Sequence, residues 1–218
     1  MIKLIIFDYD GVILDSFPAI HRVYLNICKT LGIPCPEDLE EFRKVYGKNY
    51  KECLSNLGVT DEQVVRQAEE MYVDEIKTQK YNAYPNIQEV LRELHQNYTL
   101  VVLSSNYANE IRRNLELNQL DSFFDDVVGK TDLTRFIKKN VVPDILNRFN
   151  VGVDEVIMIG DRNVDYTMAR ENNIRHFILA HYGWGYDPST IDPETPIAHN
   201  TLDLLTIISG IDSPSHEK

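Results

Sequence analysis

The sequence predicts an α/β protein in which a parallel sheet lies between two layers of helices, with a wholly helical segment inserted after the first strand. Three observations carry that prediction. Short aliphatic runs alternate with segments whose apolar residues recur at helical spacing. The stretch 16–84 shows helical spacing and no strand pattern. Three of the aliphatic runs are followed directly by aspartates or serines, which marks one rim of the sheet as chemically distinct.

Lys3–Phe7, rich in isoleucine and bounded by Asp8, reads as the first buried strand. Four helical patterns follow, Ile20–Leu31, Pro36–Tyr46, Tyr50–Leu57 and Thr60–Lys77. Turn signals at Gly32-Ile33-Pro34, Gly47 and Gly58-Val59-Thr60-Asp61 separate them. Thr60 reads as the N-cap of the last, with Gln63 in the capping-box position. The acidic run Glu37–Glu41 suits the first turn of a helix, where negative charge is favourable. Beyond the insert, Ile87, Val90, Leu91 and Leu94 recur as one helical stripe, and so do Val142, Ile145, Leu146 and Phe149. Strands are expected at Thr99–Leu103, Val127–Val128, Val156–Ile159 and His176–Ala180, and the polar tail 211–218 as a frayed end. The domains expected are therefore a three-layer α/β/α, Rossmann-like core from 1–15 and 85–218, and a helical domain from 16–84.

Composition narrows the function. The 218 residues are 43% hydrophobic and 26% charged, which is a globular composition. A formal net charge of −12 and a pI near 4.9 disfavour nucleic acid and anionic membranes as partners. A small anionic substrate stays compatible, because one bound cation reverses the field locally. The cysteines Cys28, Cys35 and Cys53 are odd in number and form no CxxC pair, so they read as reduced thiols of a cytosolic protein. The six histidines have no zinc-binding spacing. The run Leu4–Phe7 is too short for a signal peptide or a membrane span, and no later stretch is longer; a cytoplasmic location is expected.

The chemistry is expected beyond the carboxyl ends of the strands. There the first strand delivers Asp8, Asp10 and Gly11, the second Ser104, Ser105 and Asn106, and the fourth Gly160, Asp161 and Asp165. Four carboxylates at one rim repel one another when ionised. A hard cation such as Mg²⁺ resolves the repulsion, and a cation held there also attracts phosphate.

These segments, FDYDGVILDS, VVLSSN and IGDRNVD, resemble three motifs of the haloacid dehalogenase superfamily. The insert resembles that family's helical cap domain, and Ala180–Tyr186 (AHYGWGY) the Gly-rich stretch near the end of its phosphoglycolate-phosphatase-like members. Asp10 is present, whereas the dehalogenase branch lacks this second aspartate, so the resemblance points to phosphoryl transfer. It implies that Asp8 is the nucleophile, forming an aspartyl-phosphate, and that Asp10 is general acid and then base. It also implies Mg²⁺ held by Asp8, the backbone carbonyl of Asp10, Asp161 and Asp165, and Ser104 hydrogen-bonded to a phosphoryl oxygen. A phosphoryl-stabilising lysine is expected in Phe136–Asp144, Lys139 first and Lys138 second, since the family's usual Lys-Pro is absent there. Lys130 reads as structural or solvated, and Asp15 and Ser16 as hinge or cap residues. Gly11, Ser105, Asn106 and, from a loop of the insert, Lys48 are the expected substrate contacts.

The function expected is a Mg²⁺-dependent phosphatase acting on a small phosphorylated metabolite, under a cap that excludes water. A phosphomutase on the same scaffold and a non-catalytic binding protein are the alternatives. Neither the particular ester nor the oligomeric state is legible in these residues.

Overall fold

The computed structural model describes residues 1–47, 50–131, 136–185 and 191–213. The chain divides into two compact units, Met1–Asp15 with Asn82–Lys218, and Ser16–Tyr81. Among the described residues, no helix is long and apolar enough to cross a membrane.

The first unit is a six-stranded parallel sheet flanked by helices, the doubly wound arrangement that the alternating pattern predicts. Its strands are β1 (Leu4–Phe7), β4 (Thr99–Tyr107), β5 (Asp126–Lys130), β6 (Val156–Gly160), β7 (His176–Ala180) and β8 (Ile197–Ala198), in the order β5-β4-β1-β6-β7-β8. β1 lies at the centre, pairing Leu4–Phe7 with Thr99–Val102 on one side and Val156–Ile159 on the other. All four β1 residues are fully buried, which is why the strand is a continuous aliphatic run rather than an alternating one. The register sets Phe7, Val102 and Ile159 side by side, so Asp8 and the residues just beyond these strand ends share one rim.

Helices α5 (Ile87–Leu94), α6 (Ala108–Leu117), α7 (Lys138–Phe149), α8 (Asn163–Glu171) and α9 (Asp203–Asp212) belong to this unit. α7 carries Pro143 in its interior, which frees the carbonyl of Lys139 from its usual helical donor. The Asn172 amide donates to that carbonyl at 3.2 Å, so the break leaves no orphaned group.

Two strands went unforeseen in the region read as purely helical and at its edge. β2 (Leu14–Asp15) and β3 (Asn82–Ala83) pair antiparallel, at the two places where the chain leaves and re-enters the sheet unit. Asp15, expected as a hinge or cap, is thus a strand residue, and the helical unit ends at Tyr81.

The second unit contains α1 (Phe17–Leu31), α2 (Leu39–Val45), α3 (Tyr50–Asn56) and α4 (Glu62–Ile76). Its core is aromatic: the rings of Phe17 and Tyr24 lie 5.7 and 5.2 Å from that of Phe42. The Asp38 carboxylate caps α2, accepting from the N–H groups of Glu40 and Glu41, with both acids in the first turn as expected. The cap of α4 corrects the expectation by one residue. Asp61, not Thr60, accepts from Gln63 and Val64, because its shorter carboxylate reaches two N–H groups at once.

Candidate active site

Asp8 follows β1 directly, and its N–H donates to the Ile159 carbonyl at 2.8 Å, which continues the sheet ladder one residue past the strand. Asp161 follows β6, and Asp165 lies in the first turn of α8. Their exposures are 6%, 0% and 1%, so three acids are buried together. One carboxylate oxygen of each falls within 4.8 Å of the others. Burial of this kind is costly unless the charges are compensated.

Part of the compensation is a lysine. Lys138, the first residue of α7, places its ammonium 2.9 Å from Asp8 Oδ1 and 3.0 Å from Asp165 Oδ1. The expected order of the two lysines is thereby corrected. Lys139, the first choice, points away and pairs with Glu171 at 3.1 Å with its side chain half exposed. Successive helical residues differ by about 100°, and only Lys138 is in line with the buried Val142 and Ile145.

The electrostatics follow from this crowding. Burial, then Asp165, push the Asp8 carboxyl up to about 7, against the opposing pull of Lys138. Asp161 is raised well above the carboxylate range by burial, Asp8 and Asp165, against Arg162 and the Gly185 N–H. Burial works against the Lys138 ammonium, but Asp165 and Asp8 outweigh it and raise it above the usual lysine range.

One lysine does not neutralise three acids. Asp161 Oδ1 and Asp165 Oδ2 are buried and accept no hydrogen bond. Buried carboxylate oxygens left without donors fit a divalent cation that prefers hard oxygen ligands.

Asp10 stands outside this cluster. The Asn106 amide donates to its Oδ2 at 2.8 Å, so Asn106, expected at the substrate, meets Asp10. Ser104 is buried, its Oγ accepting from the Asn106 N–H at 3.2 Å, whereas Ser105 is exposed. Lys130 sits over the Tyr107 ring at 5.7 Å, a packing role. Ser16 occupies the N-cap position of α1, but its side chain makes no capping bond. Lys48 lies outside the described residues, as does Tyr186 at the end of the Gly-rich stretch.

That stretch supplies contacts that no side-chain pattern announces. The N–H groups of Trp184 and Gly185 donate to Asp161 Oδ2 at 3.1 and 2.9 Å. The Tyr182 hydroxyl donates to the Val12 carbonyl at 3.0 Å, tying this stretch to the turn after β1. Two glycines make the approach possible. A Cβ on Gly11, whose φ is +77°, would lie 2.1 Å from Asp161 Oδ2. A Cβ on Gly183 would lie 2.4 Å from Asp161 Cβ and 2.5 Å from the Gly11 carbonyl oxygen. Gly183→Ala is accordingly expected to cost about 1–3 kcal/mol of stability, measured by urea denaturation. An unchanged midpoint would show that this loop does not clamp Asp161. The guanidinium of Arg162 sits 5.5 Å from the Trp184 ring centre, so both residues the sequence left undecided belong to this loop packing.

Comparison with known proteins agrees with this site and fold. Residues 5–179 match the model of the haloacid dehalogenase-like hydrolases. Over 225 residues the chain is 26% identical to a phosphoglycolate phosphatase of Vibrio parahaemolyticus, covering 95% of this chain and 96% of that protein. It is 22% identical over 222 residues to a pyrophosphatase, PpaX, of Halalkalibacterium halodurans, covering 95% and 97%. The crystal structure of a predicted phosphatase from Clostridium acetobutylicum superposes with a TM-score of 0.81 at 26% identity, over 96% and 99% of the two chains. The chain belongs to the haloacid dehalogenase-like hydrolase family, as an enzyme of its phosphatase kind.

Proposed function

We propose that the protein is a Mg²⁺-dependent phosphatase that hydrolyses a small phosphate monoester through an aspartyl-phosphate on Asp8. The observation that carries this reading is the buried group of Asp8, Asp161 and Asp165 with Lys138 bridging two of them. Asp8, Asp161 and Asp165 would hold the cation, together with the carbonyl of Asp10. When bound, the cation supplies the positive charge that lets these carboxylates stay ionised and draws in phosphoryl oxygens.

Asp8 is oriented by two donors, the Lys138 ammonium and the N–H of Tyr9 at 2.8 Å, both on Oδ1. Its carboxylate attacks phosphorus in line with the leaving oxygen, and the charge on the transferring group is met by Lys138 and the Ser104 hydroxyl. Asp10 delivers a proton to the leaving oxygen and later takes one from the water that hydrolyses the phosphoenzyme. Asn106 holds Asp10 for both steps. Asn106→Ala is expected to lower kcat about tenfold with little change in KM, since the lost bond touches the proton donor rather than the ester. A raised KM at constant kcat would return Asn106 to substrate binding.

The similarity to a phosphoglycolate phosphatase and to a pyrophosphatase supports a small, compact phosphate substrate. The test is phosphate release across a panel of small esters and pyrophosphate, with Mg²⁺ and with chelator. Release that stops with chelator and returns with Mg²⁺ is expected. Mg²⁺ at a hundred times its Kd is also expected to stabilise the folded chain by about 2.7 kcal/mol, seen as a raised Tm. Release that is indifferent to chelator, with no change in Tm, would refute the metal assignment.

A further inference from the structure

The three cysteines all lie in the helical unit, and none takes part in the chemistry above. Cys28 on α1 and Cys53 on α3 are buried, whereas Cys35, between α1 and α2, is partly exposed. Two fixed points fold the chain back after Cys28. Gly32 takes the left-handed conformation at the end of α1, and the Ile33 N–H returns to the Cys28 carbonyl at 2.8 Å. Beyond the turn, His21 Nε2 donates to the Pro36 carbonyl at 2.8 Å while its ring stacks on Phe42. Cys35 is thus held against α1, where the Cys28 thiol hydrogen-bonds its sulfur. Cys53 lies instead beside the Tyr24 hydroxyl and receives the Gly47 N–H.

Two sulfurs in hydrogen-bonding contact need little adjustment to reach bonding geometry. The thiols do not gather as a metal site. Among the described residues, only Asp8, Asp161 and Asp165 bring three ligand atoms within 4.8 Å of one another. We propose that Cys28 and Cys35 are a reversible dithiol–disulfide pair oxidised by hydroperoxides. Cys35 is the attacking thiol, being reachable from solvent and having its thiolate stabilised by the S–H of Cys28. Burial holds the Cys28 and Cys53 thiols up at about 12, so both stay protonated.

The Cys35 thiolate attacks one peroxide oxygen, the O–O bond breaks, and the departing alkoxide is protonated to an alcohol. Cys28 sulfur then attacks the sulfur of the Cys35 sulfenic acid. The S–O bond breaks, and the departing hydroxide leaves with the Cys28 proton as water. One hydroperoxide is reduced to alcohol and water, and two thiols are oxidised to one disulfide, which an external thiol reductant reverses.

The test treats the folded full chain with hydrogen peroxide, alkylates the remaining thiols after denaturation, and digests with trypsin. Cleavage after Arg22, Lys29, Arg43, Lys51 and Arg66 puts the three cysteines in separate peptides. The expected product joins peptides 23–29 and 30–43, disappears on reduction, and leaves Cys53 alkylated. Cys35→Ser is expected to reduce the product to background, Cys53→Ser to leave it unchanged, and Cys28→Ser to leave a sulfenic acid on Cys35 that a dimedone probe traps. A link that uses Cys53 in place of Cys35 would overturn the proposal. So would full alkylation of all three thiols in peroxide-treated protein whose circular dichroism is native.

Discussion

Asp8→Asn is expected to lower phosphate release on the order of 10⁴-fold or more, with the fold intact. An amide is too poor a nucleophile to take a phosphoryl group, and no neighbour substitutes for it. Asp161 and Asp165 accompany Asp8 in the cluster, whereas Asp10 is turned toward Asn106. The same variant is expected to make the metal-free protein no less stable. Burial and Asp165 hold the Asp8 carboxyl up at about 7, so an amide relieves a repulsion. Loss of activity accompanied by loss of the circular dichroism signal would show instead that Asp8 is structural.

Lys138 is expected to show the second large effect, and Lys139 almost none. Lys138→Ala leaves Asp8 and Asp165 without their shared ammonium, in a site where the lysine side chain is only 15% exposed. Removing one partner of a buried ion pair costs about 3 kcal/mol or more, and losing one charge-stabilising donor lowers kcat about 10²–10³-fold. Lys138→Met keeps the packing of the stem and is expected to fold with the same catalytic defect. Lys139→Ala breaks an exposed pair with Glu171 and is expected to change stability by less than about 0.5 kcal/mol. Urea denaturation and steady-state kinetics on the three variants measure this. A larger kcat defect in Lys139→Ala than in Lys138→Ala would restore the order expected from sequence.

The contrast between these lysines shows what the residues alone disclose. The five longer strands of the sheet were legible because burial on both faces demands unbroken aliphatic runs, and the aspartates were legible because each stands directly after one. Two adjacent lysines at a helix start carry no such signal by type. Only the phase of Val142 and Ile145 separates them, and Lys138 is the one in register. β2, β3 and β8 escaped notice because two residues are too few to show a period. The donors to Asp161 from Trp184 and Gly185 are backbone N–H groups, which any residue carries. Asn106 was found as a site residue but assigned to the substrate, because its partner Asp10 is 96 residues away in sequence.

The central claim is that Asp8 carries the phosphoryl group. Its most direct test is an acid quench of the enzyme during turnover of the best ³²P-labelled ester, followed by tryptic mapping. Cleavage after Lys3 and Arg22 places Asp8 and Asp10 in peptide 4–22. The account predicts label in that peptide, released by hydroxylamine as an acyl-phosphate is, retained in Asp10→Asn and absent in Asp8→Asn. Turnover with no label in peptide 4–22, or label that survives in Asp8→Asn, would contradict it.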